Sequence, residues 1–282
     1  MLAIIEDALL DSGKLAPFLF LAYLAMEYLE HKTGAGIQRW IKNTDRAAPV
    51  VGGLLGIVPQ CGFSAAASNL YAGHVISLGT LLAIYLSTSD EMLPILLSEG
   101  APAGTVARIL ALKAGIGITA GLVIDWKMRR EGKKVQKGIH DMCEQEHCHC
   151  EKGIFRSALH HTVKILFFIF AVTLLLNAAL HYMGEEILAN VILDRPVLGP
   201  VLAGLVGLIP NCAGSVVITQ LYLKGAMDLG AAMAGLLAGC GVGILVLFRV
   251  NHDRRENLKI LALLYGLGVG AGILVGLAAK IY

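Results

Sequence analysis

The chain has 282 residues, of which 56% are hydrophobic and only 16% charged, against the roughly 25% charged residues of soluble domains. That composition excludes a soluble globular domain and places the chain in the bilayer, while a net charge of +2 gives no footprint for nucleic acid. The 33 glycines suit helices that approach closely in lipid.

Apolar runs approaching the roughly 20 residues of a spanning helix lie near 14–30, 48–72, 75–98, 104–126, 157–182, 197–222, 226–249 and 257–281. The acidic start (Glu6, Asp7, Asp11) lacks the basic n-region of a signal peptide, so the first run is expected to stay as a span. The second run is interrupted by Pro59-Gln60-Cys61-Gly62-Phe63-Ser64 and the sixth by Pro210-Asn211-Cys212-Ala213-Gly214-Ser215. In register, Gly53 to Cys61 overlies Gly204 to Cys212, an offset of 151 residues. The fourth and eighth runs match at the same offset: Arg108-Ile109-Leu110-Ala111-Leu112 over Lys259-Ile260-Leu261-Ala262-Leu263, then Gly115, Gly117 and Gly121 over Gly266, Gly268 and Gly272. The chain therefore divides into a first membrane repeat (1–126), a His/Cys-rich loop (127–156) and a second membrane repeat (157–282).

Lys and Arg collect in 31–46, 127–156 and the corner at Arg249, Arg254 and Arg255, which marks the cytoplasmic side; Glu99, Glu185, Glu186 and Asp194 mark the other. Both termini then lie outside. Between an inside loop at 31–46 and an outside loop at 98–103, the second and third runs must cross an odd number of times, so one of them folds back. The expected fold is an all-α polytopic membrane protein of two inverted-topology repeats with broken or re-entrant helices, about 8–10 transmembrane elements. That is the layout of secondary transporters, whose substrate sites lie near the membrane midplane.

Pro59 should end a half-helix near Val58, and Ser64 should cap the next one. Cys61 then stands at the positive end of a helix dipole, where a thiol's pKa falls below about 8.5 and the thiolate takes soft metals or trivalent metalloids. Pro210, Cys212 and Ser215 repeat the arrangement. Gln60, Asn211, Asn69 and Gln220 add amide donors and acceptors. In the third run Asp90 and Glu91 sit where a carboxylate costs on the order of 3 kcal/mol at mid-membrane, so they need a partner or a job such as proton carriage, unless the run ends near Ser87 and they lie at a wet boundary.

The central loop gathers His140, Cys143, His147, Cys148, His149 and Cys150 within eleven residues, a set suited to soft cations but not spaced as a zinc finger. It reads as a metal-collecting segment. A P-loop is absent, as are the His-Glu-x-x-His and Gly-x-Ser-x-Gly motifs of intramembrane hydrolases, so no enzymatic activity is expected.

The doubled Pro-Gln/Asn-Cys segments, the His/Cys-rich central loop and the chain length resemble the ten-transmembrane heavy-metal exporter family, described as arsenic efflux permeases or manganese transporters. The resemblance implies an efflux permease of a bacterial or archaeal inner membrane. The thiols favour a soft ion or a trivalent arsenical, since manganese asks for more oxygen ligands. The expectation is a secondary exporter with no tightly bound cofactor, its metal or metalloid being cargo, embedded in lipid, with no nucleic-acid partner and with homo-oligomerisation open. An uptake carrier for a small organic anion and a metal-sensing membrane subunit that transports nothing are the alternatives.

Overall fold

The structure, a computed structural model, describes residues 47–58, 61–89, 92–131, 162–168, 198–210 and 212–281, with isolated helical positions between 13 and 24 and between 155 and 174; at 61, 212, 213, 280 and 281 it describes the backbone alone. The described elements are helices: α1 (Ala48–Gly56), α2 (Cys61–Ala72), α3 (Leu78–Ser87), α4 (Met92–Ser98), α5 (Ala103–Arg130), α6 (Leu198–Gly207), α7 (Cys212–Leu223), α8 (Leu229–Ala238), α9 (Gly243–Val250) and α10 (Arg254–Ile281). The starting positions of α2 through α5 recur 151 residues later as the starting positions of α7 through α10. The sequence repeat is thus a repeat of structure.

At 1.5 Å per residue, the 28 residues of α5 and of α10 reach about 42 Å, enough to cross a bilayer. The 9, 12, 10 and 7 residues of α1, α2, α3 and α4 each fall short of it. Among the described residues four stretches are long and apolar enough to cross: Leu78–Ser98, Ala103–Arg130, Leu229–Val250 and Arg254–Ala279. The first contains α3 and α4, and the third contains α8 and α9; both are mostly buried. The two long helices are mostly exposed, presenting Leu122, Val123, Trp126, Leu258, Leu263, Leu274 and Leu277 outward, as a lipid-facing surface requires.

Of the two readings that the sequence leaves open for the third run, continuation through Asp90 and Glu91 or an end near Ser87, the described helices agree with the second. α3 ends at Ser87 and α4 begins at Met92, and in the second repeat Gly239 to Val242 separate α8 from α9. The sequence reason is local. Ser87, Thr88 and Ser89 can hydrogen-bond backbone carbonyls, and two of them do so onto their own helix, Ser87 to Ala83 and Thr88 to Ile84 (2.7 Å), which competes with continued helix. In the second repeat Gly239 and Gly241 weaken the helix, Gly241 at a φ of 54°.

Glycine sets how the helices meet. A Cβ at Gly117 would lie 2.7 Å from Ser87 Oγ and 2.8 Å from the Ala83 carbonyl, and one at Gly121 would lie 2.9 Å from Ala83 Cβ. Gly79 meets Gly121 and Asp125, so α3 and α5 run antiparallel. Gly52 meets Thr80 and Ile84, while Gly56 meets Ile84 and Ser87, so α1 and α3 run parallel. Since α2 links the end of α1 to the start of α3, it must carry the chain back. The second repeat packs alike, with Gly207 on Gly235, Gly230 on Gly276 and Gly268 on Ala238.

Helices of the two halves pack on one another. α2 packs on α9 and its counterpart α7 packs on α4; α3 packs on its own counterpart α8. Each contact between unlike elements recurs with the repeats exchanged, as in an isologous interface.

Gly117 and Gly115 on one helix give a direct check of this packing. Gly117→Leu should destabilise by about 1–3 kcal/mol or more through overpacking. Gly115→Leu, at a position with nothing within 4 Å of a Cβ, should be neutral or slightly stabilising. Thermal unfolding in detergent micelles separates the two, and equal midpoints would contradict the packing.

Candidate functional site

Within each repeat the ends of neighbouring short helices meet, and the start of α9 lies against α2 of the other repeat. α1 tightens at its end, with Ile57 N–H donating to Leu54 O and Val58 N–H to Leu55 O, and Ser89 in the α3–α4 break donates its hydroxyl proton to the Ile57 carbonyl at 2.6 Å. One side chain thus joins the two breaks of the first repeat and satisfies a carbonyl that the end of α1 leaves over. In the second repeat Gly239 closes on the Gly207 carbonyl, where a Cβ would lie 3.4 Å away.

Across the boundary, Gly243 at the start of α9 lies against Ser64 in the first turns of α2; a Cβ there would approach Ser64 Cβ to 2.8 Å. Ser68, one turn on, has its Oγ 2.7 Å from each of the Ser64 carbonyl, the Gly243 carbonyl and the Tyr85 hydroxyl, which itself lies 3.3 Å from the Gly243 carbonyl. Each hydroxyl has one proton. Tyr85 donating to Ser68 and Ser68 donating to a carbonyl satisfies both groups, as full burial demands. The network joins α2 and α3 of one repeat to α9 of the other. Its counterpart keeps only the local part: Thr219 donates to the Ser215 carbonyl at 2.6 Å, while Leu236 stands for Tyr85 and Met92 for Gly243.

α2 begins at Cys61 and α7 at Cys212, so both cysteines occupy the first helical position after a break, where an α-helix leaves four N–H groups without intrahelical acceptors. Ser64 and Ser215 do not cap these helices as expected. Helix formation starts three residues earlier, which puts them inside α2 and α7; Ser64 is fully buried and Ser215 partly so. Asn69 is fully buried and donates from Nδ2 to the Ala65 carbonyl at 3.2 Å, within its own helix. Gln220 and Pro210 are half-buried. Cys240, the counterpart of Ser89, is a buried cysteine in the break between α8 and α9.

Pro59, Gln60, Asp90, Glu91, Asn211, His140, Cys143, His147, Cys148, His149 and Cys150 lie outside the described residues, as do the side chains of Cys61 and Cys212. Among the described residues no three His, Cys, Asp or Glu side chains come together as a metal site.

Sequence reading missed two buried charges on α5. Lys113 is 1% exposed and donates from Nζ to the Leu236 carbonyl of the other repeat. Asp125, 4% exposed, accepts from Ser77 Oγ at 2.6 Å and from Gly79 N–H at 2.9 Å, anchoring the start of α3. The available signal was charge within a span: Lys113 stands ten residues into a 28-residue apolar helix, where a lysine costs about 2.5–3.5 kcal/mol on insertion scales.

Residues 1–192 match the model of the family described as "Putative, 10TM heavy-metal exporter". The chain belongs to this family. The heavy-metal exporter match spans the first repeat, the central loop and the start of the second repeat, and agrees with a multi-pass, all-helical membrane protein. Neither a search of the curated proteins nor one of the solved structures finds a match.

Proposed function

We propose that the protein is a secondary exporter of a soft metal ion or metalloid, such as arsenite, an organoarsenical or a divalent heavy metal, and that Cys61 and Cys212 are its central ligands. The observation that carries this reading is that α2 and α7, equivalent helices of the two repeats, begin at these two cysteines. A helix N-terminus stabilises a thiolate, and a thiolate is a soft ligand. Gln60 and Asn211 complete the shell, and Pro59 and Pro210 hold the breaks open. Ser64, Asn69, Ser215 and Gln220 line the flanking turns. Asp90 and Glu91 carry the coupling protons, and the loop from His140 to Cys150 collects metal at the cytoplasmic face of the inner membrane. The repeats have inverted topology, with the paired breaks near the midplane, where rocking of one repeat against the other exposes the site to each side in turn.

Accumulation of arsenite, a trivalent organoarsenical, Cd(II) and Mn(II) should be measured in cells with and without the protein. Lower accumulation of at least one soft species, with Mn(II) unchanged, is the expected result. Unchanged accumulation of every soft species would sink the exporter reading, and a raised level would favour uptake.

A further inference from the structure

Lys113 has no place in the ligand set above, yet it is among the largest fully buried side chains of the protein. It stands one turn before Gly117 on α5, and Gly117 packs on Ser87 at the end of α3. Because α3 and α5 are antiparallel, the next turn of α5 brings Lys113 level with the α3–α4 break. Its Nζ donates to the carbonyl of Leu236 in α8, across the repeat boundary. α8 ends at Ala238, and the N–H of its cap Gly239 takes the Gly235 carbonyl. The carbonyls from Leu236 to Ala238 are therefore the ones for which the helix's own ladder has no donor, at the negative end of its dipole. An ammonium suits that place. The counterpart of Lys113 is Leu264, equally buried, so this charged tie is made in one sense only.

We propose that Lys113 is a positioning residue for transport: a latch that holds the end of α8 in the second repeat at the α3–α4 break of the first in one state of the carrier, and releases it when the repeats shift. The functional consequence rests on the exporter reading; the latch itself does not. A charged tie made in one sense only biases the state that makes it. A hydrogen bond to a charged group is strong enough to change the ratio of two states by about tenfold or more.

Spin labels introduced as unnatural amino acids at Val123 on α5 and Leu274 on α10, both exposed, report the separation of the repeats in lipid nanodiscs. Lys113→Met should shift the ratio of distance populations about tenfold. It should also lower export turnover with little change in KM, and Lys113→Arg should restore both. A folded Lys113→Met protein with the native distance distribution overturns the latch. If Lys113→Met fails to insert, Lys113→Gln, which keeps a donor but loses the charge, should give a smaller shift in the same direction, and a native distribution there overturns the proposal equally. The distance measurement uses no cargo, so absence of export by the native protein would count against the exporter reading alone.

Discussion

Cells carrying Cys61→Ser or Cys212→Ser should lose metal or metalloid resistance, with export reduced on the order of 10- to 100-fold, the scale on which even outer-shell groups act at metal sites. Serine keeps the size of cysteine but exchanges a soft thiolate for a hard hydroxyl that stays protonated. Each cysteine opens the same helix of its repeat, so both substitutions leave the helical frame intact and both proteins should insert normally. Two ligands of one ion do not contribute independently. The double substitution should therefore add little to either single one, a non-additivity that a double-mutant cycle on vesicle export reads directly. Cys240→Ser should matter less, because its counterpart is already a serine, Ser89. Native resistance in the double variant would defeat the two-thiolate site.

Most of the architecture was legible because it rests on patterns that sequence displays. Apolar length marked the four long stretches of the described residues, and the offset of 151 marked the helices that match between the two halves. An end of the third run near Ser87 was one of the two readings the sequence left open, but the partner that meets the break was not legible. Ser87, Thr88 and Ser89 read as polar residues inside one apolar run, yet Ser89 donates to Ile57, 32 residues earlier, and nothing local announces that bond. The same holds for the Ser68–Tyr85–Gly243 network, whose members stand 17 and 175 residues apart. Ser64 misled for a different reason. A serine after Pro-Gln-Cys-Gly-Phe satisfies the local rule for a cap, but Cys61 already opens the helix and Ser64 is left to pack against Gly243. Lys113 and Asp125 were in plain view, and counting charges within the fourth run would have found them.

Asp125 leads to the second large effect, a loss of stability that a second substitution should repair. In the first repeat Ser77 caps α3, and the Asp125 carboxylate reaches over from α5 to accept from the Ser77 hydroxyl and the Gly79 N–H. In the second repeat the corresponding cap is itself an acid, Asp228, which accepts from Ala231 N–H at 2.7 Å, and the position matching Asp125 is Gly276. A Cβ at Gly276 would lie 3.8 Å from Asp228 Oδ2. Each repeat therefore sets one carboxylate at the same helix N-terminus, delivered from opposite sides of the same gap. Asp125→Gly leaves the Ser77 hydroxyl and the Gly79 amide without that acceptor and should destabilise by about 1.5–3 kcal/mol, the scale of hydrogen bonds to a charged group. Ser77→Asp alone crowds two carboxylates into the space of one and should also destabilise. Together the two changes rebuild the arrangement of the second repeat, so Ser77→Asp with Asp125→Gly should be more stable than either single variant and within about 1 kcal/mol of the native protein, the worth of an ordinary helix cap. Unfolding in micelles measures all four proteins, and a double variant that merely sums the two losses would show that the carboxylates are not interchangeable.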